Sequence, residues 1–463
     1  MDLPLTFKIS RQDAFNYLLV FLSACLIMVN KGGVVPLCAL AILSVPLFFN
    51  PAAIVPLLYL TSWHNSFALR PVVSVHQFYG FLFFFSLLLP RNRKLYEPVW
   101  GVPFYVFIAV PLMFWVLLTS WQSVTGDMAP GFVVFFELAL LVLMTKVHLF
   151  NAEFSRRCTL LIIVAATVCF TLIALFNPIQ VDLRGSELPN APHSDIRLTV
   201  IPDINPNIAS RIITINFIIL FAEACRSRCV GMALFSLLNM VPVMLCGSRT
   251  SFLGMVFAVV LAVMTSHRIN WKTVTLAVTS LMLLGVLYTV GADLNDRKEM
   301  TVSSIIEDSG SGRLFTIVGL FSSVIPSHLL MGIGLGRDNF TQMGFGYDAD
   351  NLYVDALAQI GLVGFLLLFL LYFVFMGGYL SRHVYYRDKL LARLILIVFL
   401  ILGIGISMFD TMGFWFALSL LIFFRNSDPL LNETRWRIRF RGWKLRIERK
   451  DRIVFSNRNT QEV

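Results

Sequence analysis

Gly361-Leu362-Val363-Gly364-Phe365-Leu366-Leu367-Leu368-Phe369-Leu370-Leu371-Tyr372 stands inside an apolar run over 356–380, directly after the polar sequence Asp350-Asn351-Leu352-Tyr353. A bilayer core asks for about 20 apolar residues per helix. The run supplies them, so it reads as a helix entering a membrane from a polar loop. Working outward, comparable runs fall at 14–29, 34–49, 51–63, 76–90, 97–121, 129–147, 158–177, 209–225, 229–247, 250–266, 273–291, 390–407 and 411–424. With 356–380 these make about 14 candidate spans. The second and third, split by Asn50-Pro51, also read as one broken helix, which sets the range at 12–14.

Composition excludes a soluble chain. Hydrophobic residues make up 57%, charged residues 14%, and mean hydropathy is +0.77, against about 45–50% apolar usage in soluble domains. Inside lipid every backbone polar group needs an internal partner, which helices supply. The expected fold is therefore all-α, a polytopic transmembrane helix bundle over 1–424 that includes polar loops at 178–208 and 292–355, the larger one holding short helices. A basic tail over 425–463 follows. The seven cysteines show no metal-binding or disulfide spacing and read as small core residues. Lys8 and Arg11 precede the first run, which reads as a retained first span and not a cleaved leader.

Cytoplasmic loops of membrane proteins hold an excess of Lys and Arg. With the N-terminus inside and loops assigned to alternate sides, twenty-seven of the 37 Lys and Arg fall inside, and the tail holds eleven of these. Both termini are expected to be cytoplasmic. The net charge of +10 is then a topology signal, and no nucleic-acid partner is expected. The tail sequence Arg435-Trp436-Arg437-Ile438-Arg439-Phe440-Arg441 alternates basic and apolar residues. That period reads as a strand-like segment lying on an anionic leaflet. Glu137 interrupts a strongly apolar run; it reads as hydrogen-bonding to a neighbouring helix, in preference to a place near a helix end or a proton site.

Eight of the ten outer cations are arginines, a residue that holds phosphate oxygens bidentately and stays charged when desolvated. Arg197 precedes Asn205-Pro206-Asn207, and Arg211 opens the next apolar run. Cys246-Gly247-Ser248-Arg249-Thr250 joins two apolar runs with almost no loop, placing Arg249 at a membrane boundary, where an arginine defaults to a functional hypothesis. Ser309-Gly310-Ser311-Gly312-Arg313 leads into a stretch too short to span, which reads as an amphipathic or re-entrant helix whose start would attract an anion. Gly332-Ile333-Gly334-Leu335-Gly336-Arg337 and Asp350-Asn351-Leu352-Tyr353 complete the larger loop.

In this order, Arg197 with Asn205-Pro206-Asn207, Gly247-Ser248-Arg249-Thr250, Gly312-Arg313, the Gly332–Gly336 turn and Asp350-Asn351 with Gly361-Leu362-Val363-Gly364 resemble the O-antigen ligase and polymerase superfamily of bacterial inner-membrane glycosyltransferases. The resemblance covers about residues 195–370. It implies transfer of an undecaprenyl-pyrophosphate-linked glycan to an acceptor on the periplasmic face, with no cofactor and no metal. The ligase branch has histidine before the asparagine of the last motif. Asp350 stands there instead, which favours the polymerase (Wzy-type) branch, lengthening O-antigen or a related surface polysaccharide from lipid-linked repeat units.

The resemblance makes Asp350, Arg249 and Arg313 the catalytic candidates and Arg197, Arg211, Arg337, Asn351 and Tyr353 the substrate-binding ones. Arg249 and Arg313 would hold pyrophosphate, Arg197 a phosphate of either substrate, and Asp350 would orient or deprotonate the acceptor hydroxyl. The implied partners are the lipid-linked donor and acceptor, membrane lipid and a chain-length regulator. The rival readings are a ligase transferring glycan to lipid A-core and, in another class, a flippase of lipid-linked oligosaccharide. Transporters of that kind carry paired half-repeats and intramembrane charges, and the chain shows no convincing repeat.

Overall fold

A computed structural model describes residues 11–29, 34–63, 68–69, 73–98, 106–149, 151–182, 196–201, 206–227, 229–264, 275, 277–286, 313–345, 351–380, 386–405, 436–441 and 444–449. Helices cover thirteen of the fourteen apolar runs, and the run at 411–424 lies outside the described residues. The order begins with α1 (Arg11–Val29), α2 (Val34–Leu47), α3 (Pro51–Trp63), α4 (Val75–Leu88), α5 (Val106–Trp121), α6 (Ala129–Lys146), α7 (Ala152–Phe176) and α8 (Pro206–Ser227). It continues with α9 (Val230–Leu238), α10 (Met240–Leu245), α11 (Arg249–Met264), α12 (Ala277–Val286) and α13 (Arg313–Gly319). A π-helical turn, Leu320–Val324, and the short helix Ile325–Ser327 extend α13. The chain then forms α14 (Arg337–Gln342), α15 (Leu352–Leu380) and α16 (Tyr386–Gly405).

The fold is mostly helical and membrane-integral. Phe154–Phe176, Pro206–Cys225 and Leu352–Val374 are long and apolar enough to cross a bilayer by length and composition, and the other apolar helices run 10–17 residues. Large apolar side chains face outward, among them Phe107 at 63% exposure, Phe114 at 66% and Phe176 at 80%. In water such a surface would aggregate; in lipid it costs nothing. The centre is α3, whose residues 51–62 are all buried, with α1, α4 and α7 packed around it.

Among the described residues, four two-stranded antiparallel ladders interrupt the all-α plan. Ala68–Leu69 pairs with Val73–Ser74, and Tyr96–Pro98 with Val147–Leu149. Ile179–Asp182 pairs with Ile196–Thr199, so the loop expected over 178–208 carries a β-ribbon with Arg197 opposite Val181. The tail alternation also takes strand form, Trp436–Arg441 against Lys444–Arg449.

The two ends of the bundle differ. At one, the 3₁₀ turn Pro90–Lys94 bears Arg91, Arg93 and Lys94, and Asn92 Nδ2 donates to the Phe48 carbonyl at 3.0 Å. At the other, the α5–α6 loop meets the glycine turn: Val124 N–H donates to the Ile333 carbonyl at 3.2 Å, and Thr125 N–H to Asn339 Oδ1 at 2.9 Å.

The helix read as a continuous apolar run is folded. Gly361 adopts φ +64°, which only glycine takes without strain. In a straight helix the 16 residues from Tyr353 to Phe369 would span about 24 Å. Their ring centroids are instead 5.6 Å apart and stacked. The limb 352–360 therefore turns back so that its side chains face the limb 362–380, and the apparent spanning length of Leu352–Val374 belongs to two limbs, not one rod.

Candidate functional site

Two polar centres form at the end of the bundle that holds the glycine turn. The first lies where the starts of α8 and α11 meet. Ser210 Oγ donates to the Asn207 carbonyl at 2.9 Å, so it accepts from Ser251 Oγ, also at 2.9 Å. Ser248 Oγ in turn donates to Ser251 Oγ at 3.2 Å. Each hydroxyl has one proton to give, and the chain Ser248 to Ser251 to Ser210 to Asn207 uses them all. It fastens two helix starts together, and Arg211 follows Ser210 with only 4% of its surface exposed. The ribbon strand bearing Arg197 packs against α8 and α10.

Cys246 lies in the turn just before Ser248. It is fully buried, and the polar side chains described at this centre are the serine hydroxyls and Arg211.

The second centre is the start of the folded-back limb. Asn351 Oδ1 accepts from the Tyr353 and Val354 amides at 3.0 and 3.2 Å. Asp355, fully buried, accepts the Asn351 amide on Oδ2 at 3.0 Å. Tyr353 Oη donates to the Leu400 carbonyl on α16 at 2.6 Å. Leu352 faces Gly403 on the same helix, while Val398 and Leu402 face Gly254 of α11. The last turns of α16 thus stand between the two centres.

The glycine turn supplies the frame. Ile333 and Gly334 amides donate to the Ala358 and Gln359 carbonyls at 2.9 and 3.0 Å, and Leu362 N–H donates to the Leu329 carbonyl at 2.7 Å. Trp115 Nε1 donates to the Ile360 carbonyl at 2.8 Å. These are the groups that a helix break at Gly361 sets free, and an unpaired one would cost several kcal/mol in lipid. A Cβ on Gly332 would strike the Gln359 carbonyl, and one on Gly361 the Leu330 carbonyl. Over this frame Leu320, Val324, Ile333 and Phe340 form a small separate core with Val354 and Ala358, which sets α13 and α14 against the limb.

Of the arginines expected to act, Arg249, Arg313 and Arg337 are each the first residue of a helix. The first turns opened by Arg249 and Arg313 hold no acidic residue, whereas Asp338 directly follows Arg337. Arg197 is a ribbon residue and Arg211 is in the second turn of α8. The side chains of Arg197, Arg249, Arg313 and Arg337, and Asp350 as a whole, lie outside the described residues. The backbone places Arg211 and Arg249 near the joined starts of α8 and α11, Arg337 at the start of α14, which meets the α5–α6 loop through Asn339, and Asn351 and Tyr353 at the start of the folded-back limb.

Sequence reasoning passed over two buried groups. Asp355 was hidden by the apolar run that begins beside it; its signal is the asparagine four residues earlier, the spacing of a helix-start pair. His76, on α4, is the partner of Glu137: Nε2 lies 2.8 Å from Oε1, both side chains fully buried. Thr61 Oγ1, which donates to the Leu57 carbonyl at 2.8 Å, lies 3.1 Å from His76 Nδ1. His76 and Glu137 thus face each other across α4 and α6 at ion-pair distance, but without the geometry of the hydrogen bond expected for Glu137. Among the described residues no three His, Cys, Asp or Glu side chains converge as a metal site.

A protein-family model described as O-Antigen ligase matches residues 233–369. No curated protein matches the chain. The matched region begins in α9 and ends in the long limb of α15, so it takes in Arg249, Arg313, Arg337 and the Asp350-Asn351 pair, and leaves Arg197 and Arg211 outside. It supports the O-antigen ligase/polymerase superfamily as a whole, and with it a glycosyltransferase-like function in polysaccharide biosynthesis acting on lipid-linked glycan in a membrane.

Proposed function

We propose that the chain is a polymerase of lipid-linked repeat units: it transfers a growing glycan from undecaprenyl pyrophosphate to the terminal sugar of another lipid-linked unit. The acceptor hydroxyl oxygen bonds to the anomeric carbon, the bond from that carbon to the pyrophosphate oxygen breaks, and lipid pyrophosphate leaves with the electron pair. The hydroxyl proton passes to Asp350. Arg249 and Arg313 meet the charge that builds on the leaving group, with Arg197, Arg211 and Arg337 holding the remaining phosphates.

The observation that carries this reading is the placing of arginines at helix starts. A cation at the positive end of a helix dipole is the wrong sign for stability. Arg249 opens a helix of 16 residues and has no acidic neighbour in its first turn. The arrangement makes physical sense when an anion occupies that point, because it meets the guanidinium and the dipole together. Fixed positive groups of this kind are often the largest contribution to catalysis where negative charge develops.

The domain plan follows from the same reading: the site faces the periplasm, the basic tail and both termini the cytoplasm, in a bacterial inner membrane. Purified protein in nanodiscs with lipid-pyrophosphate-linked repeat units should produce a ladder of lengthened glycan. A second reading, ligation to lipid A-core, is favoured by the description of the matching family. The same assay with lipid A-core added decides between them. Glycan appearing on that acceptor, with no ladder on the original lipid, would replace the polymerase reading.

A further inference from the structure

Helix α4 divides its residues between two faces. His76, Tyr79, Phe83 and Leu87 are buried in the bundle, while Phe81, Phe84, Phe85 and Leu88 are exposed. The exposed residues stand at i, i+3, i+4 and i+7, which makes one outward stripe. That stretch of helix rises about 10 Å, most of the apolar half of a bilayer about 30 Å thick. Large apolar side chains so placed face acyl chains. The stripe ends at the turn Pro90–Lys94, so Arg91, Arg93 and Lys94, all exposed, come at the depth where lipid phosphates begin.

The turn is held in a fixed shape. Asn92, fully buried among the cations, donates through Nδ2 to the Phe48 carbonyl at 3.0 Å and to the Ser86 carbonyl at 2.8 Å. Leu95 N–H donates to the Asn92 carbonyl at 2.8 Å, and Tyr96 Oη donates to the Leu87 carbonyl. Arg91 holds its guanidinium carbon 5.1 Å from the centre of the exposed Phe49 ring, a cation–π contact. The C-terminal end of α4 offsets about half of one positive charge. Arg91, Arg93 and Lys94 together exceed that, and on a lipid-facing surface the counter-charge within reach is headgroup phosphate.

We infer that this turn is a binding site for an anionic phospholipid: the phosphodiester docks on Arg91, Arg93 and Lys94, and the acyl chains lie along the stripe from Phe81 to Leu88. Arginine meets phosphate oxygens in bidentate pairs. Asn92 sets the spacing of the cations by tying the turn to the chain just after α2 and to the end of α4, so an occupied site holds these two helix ends together.

The test reads lipid binding and does not depend on glycan transfer. Full-length protein in detergent is titrated with fluorescent phosphatidylglycerol, with unlabelled phosphatidylglycerol, phosphatidylcholine and inorganic phosphate as competitors. Each cation beside an anionic lipid surface contributes about fivefold in affinity. Arg91→Gln, Arg93→Gln and Lys94→Gln combined should therefore weaken phosphatidylglycerol about 100-fold, and Lys94→Gln alone about fivefold. The lipid should raise the melting temperature of wild type, because it binds the folded state, and leave that of the combined variant unmoved. A control that removes the same charge near the start of α16, Arg382→Gln with Arg387→Gln and Lys389→Gln, should bind as wild type does.

Unchanged affinity in the combined variant would overturn the site. Equal loss from the control would make net charge the cause and overturn it too. Phosphatidylcholine displacing the probe as well as phosphatidylglycerol does would leave lipid contact without headgroup recognition, and inorganic phosphate doing so would replace the lipid with a free anion. If the combined variant melts early without lipid, the fivefold loss in Lys94→Gln decides.

Discussion

The glycine turn at 332–336, followed by Arg337, and the joined starts of α8 and α11, with Gly247 near Arg249, both set glycine close to arginine in the sequence, yet the structure uses them differently. In the turn, backbone groups close the gap left by the break at Gly361, and Ile333, Gly334, Leu329 and Trp115 take up the partners it sets free. At α8 and α11 the polar groups are side chains, a relay of hydroxyls beside a buried Arg211 and the Arg249 helix start. Backbone polarity here closes the frame, while at α8 and α11 side-chain hydroxyls fasten two helix starts beside Arg211. Polar content alone does not separate the two; the direction of each hydrogen bond does.

The harshest test of this division is Gly361→Ala. The substitution demands φ +64° of a residue with a Cβ and drives that Cβ into the Leu330 carbonyl, so a loss of more than about 4 kcal/mol is expected. The protein should fail to give a monodisperse peak after detergent extraction. A well-folded Gly361→Ala protein would mean that the limb 352–360 can straighten, and the frame would lose its reason.

Glu137 asks on which side of the division a third polar centre belongs. Its His76 partner and the Thr61 contact tie α3, α4 and α6 together with no exposed surface, which is the pattern of a structural tie. Removing one partner of a buried polar pair leaves the other unmatched at a cost of up to about 3–5 kcal/mol, so Glu137→Leu should lower thermal stability. His76→Leu combined with Glu137→Leu should recover much of the loss, because apolar replacements of both partners are often neutral. A double variant that is stable yet builds no glycan would move the pair from the frame to the chemistry.

Arg249→Ala tests the other side. Loss of one preorganised donor to a developing anion costs about 10²–10³ in rate, while removing a cation from a helix start should leave stability unchanged or slightly higher. Stalled glycan at single-unit length with an unaltered melting temperature is the expected pair of results. Normal ladders from both Arg249→Ala and Arg313→Ala would end the pyrophosphate assignment.

Much of this was legible beforehand. Apolar runs are long and their composition is one-sided, so helices fell on all but the run that lies outside the described residues. The fold-back at Gly361 was not legible, because hydropathy counts apolar residues and is blind to backbone hand: Leu362 to Leu371 scores the same whether it continues a helix or begins a new limb. His76 was passed over for a related reason. Its partner is 61 positions away on another helix, and nothing local marks it.

Tyr353 lies on the line between frame and site, and so sharpens the comparison most finely. The family resemblance implies a substrate-binding residue here. Its hydroxyl, however, donates to the Leu400 carbonyl at 2.6 Å, and its ring stacks on Phe369. A hydroxyl has one proton, and that proton is committed to α16. Tyr353→Phe keeps the ring stack and removes a single hydrogen bond, which is worth about 1 kcal/mol. The expected variant therefore melts slightly lower and polymerises nearly as fast as wild type. A large rise in the KM for acceptor with stability unchanged would show the oxygen accepting from the glycan, and would shift the boundary between frame and site by one residue toward the limb.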